Sequence, residues 1–365
     1  MADRLRALRA LSLYALLLVA PGLGAGEVSA VHGPEPLWAY GYSTPPLPSD
    51  QPLSQTPPPS THQLRATESR DEQTRLRRVE GSAAAYSKLD IRDGGNVADW
   101  FPADHPKMTR VLVHGPAKLG TTSWGCAYCH LPTGKGRPEN APVVGQSVAY
   151  FLRQLEDFRN DRRTSADPRK PNTPEMAGLA KLMTDEEMNE AARYFASMKW
   201  TPWTRVIETD RVPKTRIDGN VFIAAEKSLT EPIAGRIIEV PENEEQAQVL
   251  RNPRSGFIAY VPLGSIDRGE KLVASGGAGM LDGKIVPGKT LACAGCHGPD
   301  LMGVADVPGI AGRSPSYLVR QLYDLQTGTR HGRMSAPMQP VVANLTSDDM
   351  VAIAAYLTSR VPPTP

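Results

Sequence analysis

Cys-Ala-Tyr-Cys-His at residues 126–130 and Cys-Ala-Gly-Cys-His at residues 293–297 are two copies of one pattern, and they contain all four cysteines of the chain. Residues i, i+3 and i+4 lie on one face of a helical turn, so two thiols and an imidazole can reach the same flat macrocycle. Cys-x-x-Cys-His is the attachment pattern of haem c, and it predicts two covalently bound haems with an imidazole ligand to each iron. The residues concerned are Cys126, Cys129, His130, Cys293, Cys296 and His297.

Two other kinds of site use paired cysteines. Two Cys-x-x-Cys pairs can build a tetrahedral zinc site, and a single pair can be a thioredoxin-like redox centre. Neither accounts for a histidine directly after the second cysteine in both copies. The pattern therefore favours haem over zinc and over a dithiol.

An internal repeat surrounds the two motifs at a constant offset of 167 residues. Apolar residues at helical spacing follow the first motif and predict an amphipathic helix that begins near Ser147, with its partner near Ser314. The repeat predicts two structurally equivalent units. Ser147, Tyr150, Arg153, Gln154, Leu155, Asp157 and Arg163 correspond to Ser314, Tyr317, Arg320, Gln321, Leu322, Asp324 and Arg330.

Each copy closes with a helix whose start is visible in the sequence. Thr184 is followed by three acidic residues, and Thr346 is followed by Ser-Asp-Asp. A hydroxyl residue with an acidic side chain three positions later is the signature of a capping box. The pattern predicts helices that begin directly after Thr184 and Thr346.

A second axial ligand to each iron decides whether a haem carries electrons or binds small molecules. Met176 and Met338 each lie eight residues before the threonine that begins the closing helix of their copy, in stretches that contain proline. We expect both in rigid, extended loops that hold the thioether over the ring. Met183 and Met334 are the nearest competitors.

These residues resemble the tandem dihaem class I cytochromes c of the cytochrome c4 type. The resemblance covers about residues 104–200 and 264–360, and it includes the haem motif, the Tyr-x-x-Arg-Gln-Leu helix and the spacing from Met to capped helix. It implies small helical shells around one haem each, and a protein that passes single electrons in the periplasm. It also suggests Arg163 and Arg330 as neighbours of the haem propionates.

The predicted fold is mainly α, with two tandem small helical cytochrome c domains, a β-containing insert between them and a disordered Pro-rich amino-terminal segment. Strand-like stretches at 221–224, 233–240 and 256–261 suggest a small clamp between or beside the domains. The predicted boundaries are 1–30 for a signal peptide, 31–95 for the flexible segment, 96–200 for the first domain, 201–263 for the insert and 264–362 for the second domain.

The chain departs from the typical dihaem pattern in the insert, which is far longer than a linker between tandem haem domains, and in the opening helix of copy one. Copy two begins with a recognisable helix near residues 266–273, whereas the matching helix of copy one, within residues 103–114, should be short. Trp38, Tyr40 and Tyr42 form an aromatic cluster in the Pro-rich segment, which can dock on this protein or on a partner.

The amino terminus has the layout of a secretory signal peptide. Three arginines precede an apolar stretch at residues 11–20, followed by Pro21 and small residues. The apolar stretch is shorter than the ~20 residues that a spanning helix needs, and no later segment is long and apolar enough. We therefore expect export to the bacterial periplasm and no transmembrane anchor in the mature chain.

Charge excludes one class of partner. The chain has 41 basic and 39 acidic residues, and this near balance provides no basic stripe for nucleic acid. His105, His114 and His331 are spare histidines, for which structural or surface roles are expected.

The function indicated is a periplasmic dihaem electron carrier with two His/Met haems. It would pass single electrons from a donor dehydrogenase or respiratory complex to a terminal acceptor such as an oxidase, with no catalytic residue of its own. One alternative is a dihaem peroxidase-like enzyme, which needs one haem with an exchangeable sixth position. The other alternative is an electron-transfer subunit fixed to one periplasmic dehydrogenase through the insert.

Overall fold

Helices surround both Cys-x-x-Cys-His motifs in this computed structural model, which describes residues 34–42, 64–120, 123–225 and 229–361. The predicted signal peptide lies outside the described residues. Short 3₁₀ helices occur at Leu37–Tyr40, Ala117–Leu119 and Ala336–Met338, and a π-helix at Glu245–Val249. The α-helices are α1 Arg70–Thr74, α2 Lys88–Arg92, α3 Arg110–His114, α4 Cys126–His130, α5 Val148–Arg159, α6 Asn172–Leu182, α7 Asp185–Ser197, α8 Ser265–Ser275, α9 Ala294–His297, α10 Pro315–Gln326, α11 Gln339–Val342 and α12 Ser347–Ser359.

The strands are short, and the longer ones lie in the segment between the two copies. They are β1 Thr204–Glu208, β2 Arg211–Pro213, β3 Thr215–Asp218, β4 Val221–Ala224, β5 Thr230–Pro232, β6 Ile238–Pro241, β7 Phe257–Val261, β8 Gly279–Leu281, β9 Lys284–Val286, β10 Gly303–Val304 and β11 Val307–Pro308. In the three-stranded sheet, β7 pairs in parallel with β1 and antiparallel with β6. The other pairs, β2–β5, β3–β4, β8–β9 and β10–β11, are antiparallel.

The two long helices after the motifs begin where the repeat predicts. The Ser147 hydroxyl accepts a hydrogen bond from the backbone N–H of Tyr150 and caps α5. Ser314 and Tyr317 repeat the arrangement at α10. The cap satisfies a backbone N–H that has no partner inside the helix, which defines the first turn.

The closing helices confirm the predicted capping boxes. At α7 the Thr184 hydroxyl accepts from the N–H of Glu187, and the Glu187 carboxylate accepts from the N–H of Thr184. Thr346 and Asp349 make the same pair of bonds at α12. The helix starts therefore follow from residues three positions apart.

The opening helices of the two copies differ, as predicted. In copy one α3 has five residues, whereas α8 in copy two has 11. The backbones of α8 and α12 lie so close together that an added Cβ on Gly269 would lie 2.0 Å from the carbonyl oxygen of Ala352. Glycine at this crossing lets the two helix backbones approach more closely than any other residue would.

The apolar core has separate parts for the two copies. Copy one buries Leu112, Phe151 and Phe195 from α3, α5 and α7 in one cluster. In copy two Val319 of α10 and Ile353 of α12 belong to a larger cluster that also takes in residues of β6, β7 and the segment 34–42. The second copy therefore shares its core with chain outside the repeat.

The insert contacts both copies. Trp100, at the start of the first domain, donates its indole N–H to the carbonyl oxygen of Leu250 in the insert at 2.7 Å. The buried carboxylate of Glu239 on β6 accepts from the Ser314 hydroxyl at 2.8 Å, at the start of α10. The strands predicted at 221–224 and 256–261 are present, and that at 233–240 is confined to its end at β6.

The Pro-rich segment differs from the flexible tether expected over residues 31–95. Trp38, Tyr40 and Tyr42 are buried, and residues 64–95 include α1 and α2. Tyr40 donates its hydroxyl to Asp324 of α10 at 2.7 Å. Where the structure describes it, this segment is packed, because its aromatic side chains supply the apolar area that its composition otherwise lacks.

Candidate haem sites

The first Cys-x-x-Cys-His motif forms the short helix α4, which is held tightly against α3. Gly125, directly before the motif, donates its N–H to the carbonyl oxygen of Gly94 at 2.7 Å. A Cβ on Gly125 would lie 2.3 Å from the carbonyl oxygen of Leu112 and 2.4 Å from that of Val113. The lack of a side chain at this position therefore sets how closely the motif approaches α3.

Both motif histidines are oriented in the same way. Nδ1 of His130 lies 2.8 Å from the carbonyl oxygen of Ala141, and Nδ1 of His297 lies 2.7 Å from that of Pro308. A carbonyl only accepts, so Nδ1 carries the proton and the Nε2 lone pair is available to a metal. Burial lowers the pKa of both imidazoles, which favours the neutral, ligating form.

The motif cysteines are thiols without disulfide partners. Burial raises the pKa of Cys126 and Cys129 to about 12 and that of Cys293 to about 11. A reactive dithiol needs a lowered pKa, so the surroundings are opposite to those of a thioredoxin-like centre. Cys296 is exposed. In the described residues, no group of three or more His, Cys, Asp or Glu side chains is placed to hold a metal ion.

A large cavity opens beside the first motif. It has about 1400 Å³ of empty space, counting the part open to solvent. Helices α4 to α7 form its apolar part, and its other end reaches α10 of the second copy. The apolar and ligating side chains that line this cavity include Cys126, Cys129, His130, Phe151, Leu155, Met176, Leu179, Ala191 and Phe195. An apolar slot with a free imidazole nitrogen and two thiols at one side fits a haem.

The structure brings Met176 to the same cavity as His130, but its backbone differs from the prediction. Met176 lies inside α6, and Met338 ends the 3₁₀ helix directly before α11, so the expectation of extended loops is wrong. Pro174 and Pro337 fall in the first turns of these helices, where a missing N–H breaks no helical hydrogen bond. Proline there permits a helix rather than enforcing a loop.

The competing methionines are placed differently from each other. Met183 is buried and also lines the first cavity, so it stays an alternative to Met176. Met334 is 52% exposed, whereas Met338 and Cys293 both pack against the core of the second copy. Packing therefore favours Met338 over Met334 in copy two.

The repeated Tyr, Gln and Arg residues meet at a junction between the copies. Arg163 donates to Gln154 of its own copy at 2.9 Å and to Gln321 of the other at 2.7 Å. Arg330 donates to Gln321 and Gln154, both at 3.0 Å. The two arginines also pair as an antiparallel β-bridge. This role was not predicted from the sequence, although Gln and Arg keep the same positions in both copies of the repeat.

Several buried polar side chains at the junction end of the cavity were also not anticipated. Lys170 and Glu139 line it, and both have a side-chain atom without a hydrogen-bond partner. Glu175 lines it too, and burial raises its pKa to about 7. Such unsatisfied polar atoms indicate that the cavity receives a polar group.

The spare histidines have local partners. His105 contacts the Asp99 carboxylate at 3.1 Å, and His114 and His331 contact the carbonyl oxygens of Gly95 and Gly328. These contacts fit the structural roles expected for them.

Comparison with known proteins agrees with this chemistry. A family model described as Cytochrome c matches residues 282–360. Cytochrome c4 of Pseudomonas aeruginosa is 26% identical over 236 residues, which are 64% of this chain and 82% of that protein. Cytochrome c-554(548) of Halomonas halodenitrificans is 36% identical over 69 residues, covering 19% of this chain and 83% of that protein. The thiosulfate dehydrogenase electron acceptor of Stutzerimonas stutzeri is 36% identical over 97 residues, which are 26% and 40% of the two chains.

The fold, the duplicated motif and these relatives define a c-type haem protein of electron transfer. The chain belongs to the cytochrome c family, and it is similar to cytochrome c4 over 64% of its length. It carries two covalently bound haem c groups. None of the helices in the described parts of the chain has the length and apolar character needed to span a bilayer.

Proposed function

We propose that this chain is a periplasmic dihaem electron carrier. It takes single electrons from a donor dehydrogenase or respiratory complex and passes them to a terminal acceptor, and it catalyses no reaction of its own. His130 and Met176 are the axial ligands in the first copy, and His297 and Met338 in the second.

The observation that carries the proposal is the meeting of His130 and Met176 at one apolar cavity beside two thiols. Haem c, when bound there, supplies an iron that changes its oxidation state by one electron. A thioether opposite an imidazole favours the ferrous state and raises the reduction potential. Two strong axial ligands leave no open position for a substrate, which suits a carrier better than an enzyme.

Each surrounding residue has a role that follows from its contacts. The carbonyl groups of Ala141 and Pro308 hold the imidazoles in one orientation. Phe151 and Phe195 stack with ring centroids 5.8 Å apart and form an apolar wall of the first cavity. Such walls exclude water, which limits the solvent reorganisation that accompanies a change of charge.

The junction keeps the two copies in one relative arrangement. Arg163 and Arg330 each bond to both glutamines, so a rotation of one copy against the other would break several charge-assisted hydrogen bonds. We infer a constant separation between the two haem sites, which an internal electron transfer requires.

A second candidate is a dedicated acceptor subunit of one dehydrogenase. A relative is named as the electron acceptor of thiosulfate dehydrogenase. The insert, which contacts both copies, would then be the element that binds the enzyme. This candidate has the same haem chemistry as the general electron carrier, and it differs only in being bound to one dehydrogenase.

An optical spectrum in both redox states, with a pyridine haemochrome count, tests the proposal. We expect two low-spin haems, the weak near-red band of Met-ligated ferric iron and no reaction with peroxide. A high-spin component that reacts with peroxide would contradict the carrier and support the dihaem peroxidase alternative.

Cell fractionation tests the location. The full chain should be found in the periplasm with two haems, and a chain without residues 1–30 should stay in the cytoplasm without haem. Haem-loaded protein in the cytoplasm would contradict export before haem attachment.

A further inference from the structure

Lys170 is the unexplained side chain of the first cavity. It lies in the loop before α6, lines the cavity and is 3% exposed. Its ammonium nitrogen has no hydrogen-bond partner. An ammonium buried without a partner loses its hydration with nothing in return, so an anion must complete the site or the proton must be lost.

In the described part of the chain, none of the acidic side chains nearby bonds to the Lys170 nitrogen. Glu175 lines the same cavity, and the other two are ion-paired with arginines. Asp167 is ion-paired with Arg169 at 2.6 Å, and Glu139 with Arg137 at 3.1 Å. Burial and then the positive charge of Arg320 lower the pKa of Lys170, while the charges of Glu139, Glu175 and Asp167 only partly oppose them. The protein alone therefore leaves this ammonium poorly stabilised.

Resting on the proposed function, we propose that Lys170 pairs with a carboxylate of the haem bound in the first cavity and thereby raises the reduction potential of that haem. A haem carries acidic side chains, and the described cavity presents a cation with no other partner to receive one. A fixed positive charge at this place stabilises the ferrous state, which has one negative charge more than the ferric state.

The pairing is specific to the first copy. Lys170 lies six residues before Met176, and the residue six positions before Met338 is Gly332. At the repeat offset of 167 residues the match is Pro337. Neither position can supply a cation, and the residue after Gly332, Arg333, is exposed rather than buried. Lys170 therefore makes the two otherwise similar sites electrostatically unequal.

The test is a spectroelectrochemical titration of the full-length, haem-loaded protein and its Lys170→Gln variant. We expect the equilibrium constant for reduction of the first haem to fall about tenfold, which is ~59 mV for one electron, with the second haem unchanged. The Cys126→Ala variant, which loses one thioether, identifies the first haem by its shifted absorption band.

Two variants serve as controls. Lys170→Arg keeps the positive charge and should restore most of the parent potential. Lys181→Gln removes a lysine that is 47% exposed and ion-paired with Asp161 at 2.7 Å, and it should change neither potential measurably. If Lys170→Gln and Lys170→Arg shift the potential equally, packing rather than charge is responsible and the proposal is wrong.

A second measurement tests the pairing if the Lys170→Gln variant does not incorporate haem. Redox-difference infrared spectra of the parent and of Lys170→Arg should show a carboxylate band that changes frequency between them. The absence of any such change overturns the pairing.

The haem count and the near-red band report on the proposed function separately from Lys170. Two low-spin haems with potentials unaffected by Lys170→Gln would contradict the pairing alone. If the parent protein has no Met-ligated haem, the proposed electron-carrier function is contradicted. The change in reduction potential caused by Lys170→Gln would still show whether the charge of Lys170 acts on the first haem.

Discussion

Single side chains determine what each haem site can do. The imidazoles of His130 and His297 are bound through Nδ1 to carbonyl oxygens 11 residues further along the chain. This leaves Nε2 as the only ligating nitrogen, and it makes the identity of the opposite ligand the main variable of each site.

The axial methionines can be tested by substitution. Met176→His should lower the potential of the first haem, and Met338→His that of the second, because imidazole is a stronger donor to ferric iron than a thioether. We expect at least a tenfold change in the reduction equilibrium, or ~59 mV, in a potentiometric titration. Each variant is the control for the other, since only one haem should respond. If the potentials equal those of the parent, Met176 and Met338 are not the axial ligands, and Met183 or Met334 would take their place.

Gly125 offers a test of the geometry of the first motif. Gly125→Ala places a methyl group within 2.4 Å of two carbonyl oxygens of α3, and overpacking of this kind costs roughly 1–3 kcal/mol or more. We expect the haemochrome count to fall from two towards one.

Gly178→Ala is the matched control for Gly125→Ala. Gly178 lies in α6 with nothing within 4 Å of an added Cβ, so the substitution should keep both haems and stabilise the helix by up to ~1 kcal/mol. A full haem count in Gly125→Ala would show that α4 can move away from α3 without loss of attachment.

Elements of the insert support helices of the repeat. The Glu239 carboxylate lies at the amino terminus of α10, where it accepts from the Ser314 hydroxyl and, at 3.4 Å, from the N–H of Ser316. Burial raises the pKa of Glu239 despite these bonds. The folded state therefore favours the protonated carboxyl more than the unfolded state does.

This shift predicts a pH-dependent effect of Glu239→Gln. A raised pKa in the folded state contributes stability below the unfolded pKa, near 4.3, and this contribution is lost as the pH rises through the folded pKa. The stability of Glu239→Gln relative to the parent should therefore increase between pH 4 and pH 7, as measured by urea unfolding. Ser316→Ala keeps the carboxylate but removes a side-chain hydrogen bond that lowers its pKa, so the stability of this variant relative to the parent should fall over the same pH range. A relative stability independent of pH would contradict the shifted pKa.

Across the whole molecule, the two copies are joined by the junction and by chain outside the repeat. Segment 34–42 and the insert share an apolar core with the second copy, while Arg254 of the insert bonds to Asp104 at 2.7 Å. The insert is thus packed on both copies rather than a free linker.

Arg163→Met tests how far the junction couples the copies. It removes hydrogen bonds to Gln154 and Gln321, and we expect a loss of about 2 kcal/mol. Urea unfolding followed by haem absorbance and by tryptophan fluorescence should then separate into two transitions.

Arg162→Met is the control for Arg163→Met, because the Arg162 side chain is 33% exposed and its ion pair with Asp157 is long, at 3.7 Å. It should leave the unfolding midpoint almost unchanged. If the two variants unfold alike, the junction contributes little to holding the copies together.

Local features of this protein could be predicted from the sequence. The haem motifs, the caps at Ser147, Ser314, Thr184 and Thr346, and the short opening helix of copy one all depend on residues within a few positions of each other. Helical periodicity and capping act over one or two turns, so a linear pattern records them.

Tertiary structure decided the features in which distant segments meet. The sequence suggested a loop for Met176 and a tether for residues 31–95, whereas the structure has a helix and buried aromatic residues. The junction of the repeated glutamines with Arg163 and Arg330 was not predicted. Lysine is usually a surface residue, whereas the fold buries Lys170. Burial and pairing depend on which surfaces come together, and that is a property of the packed chain rather than of neighbours in sequence.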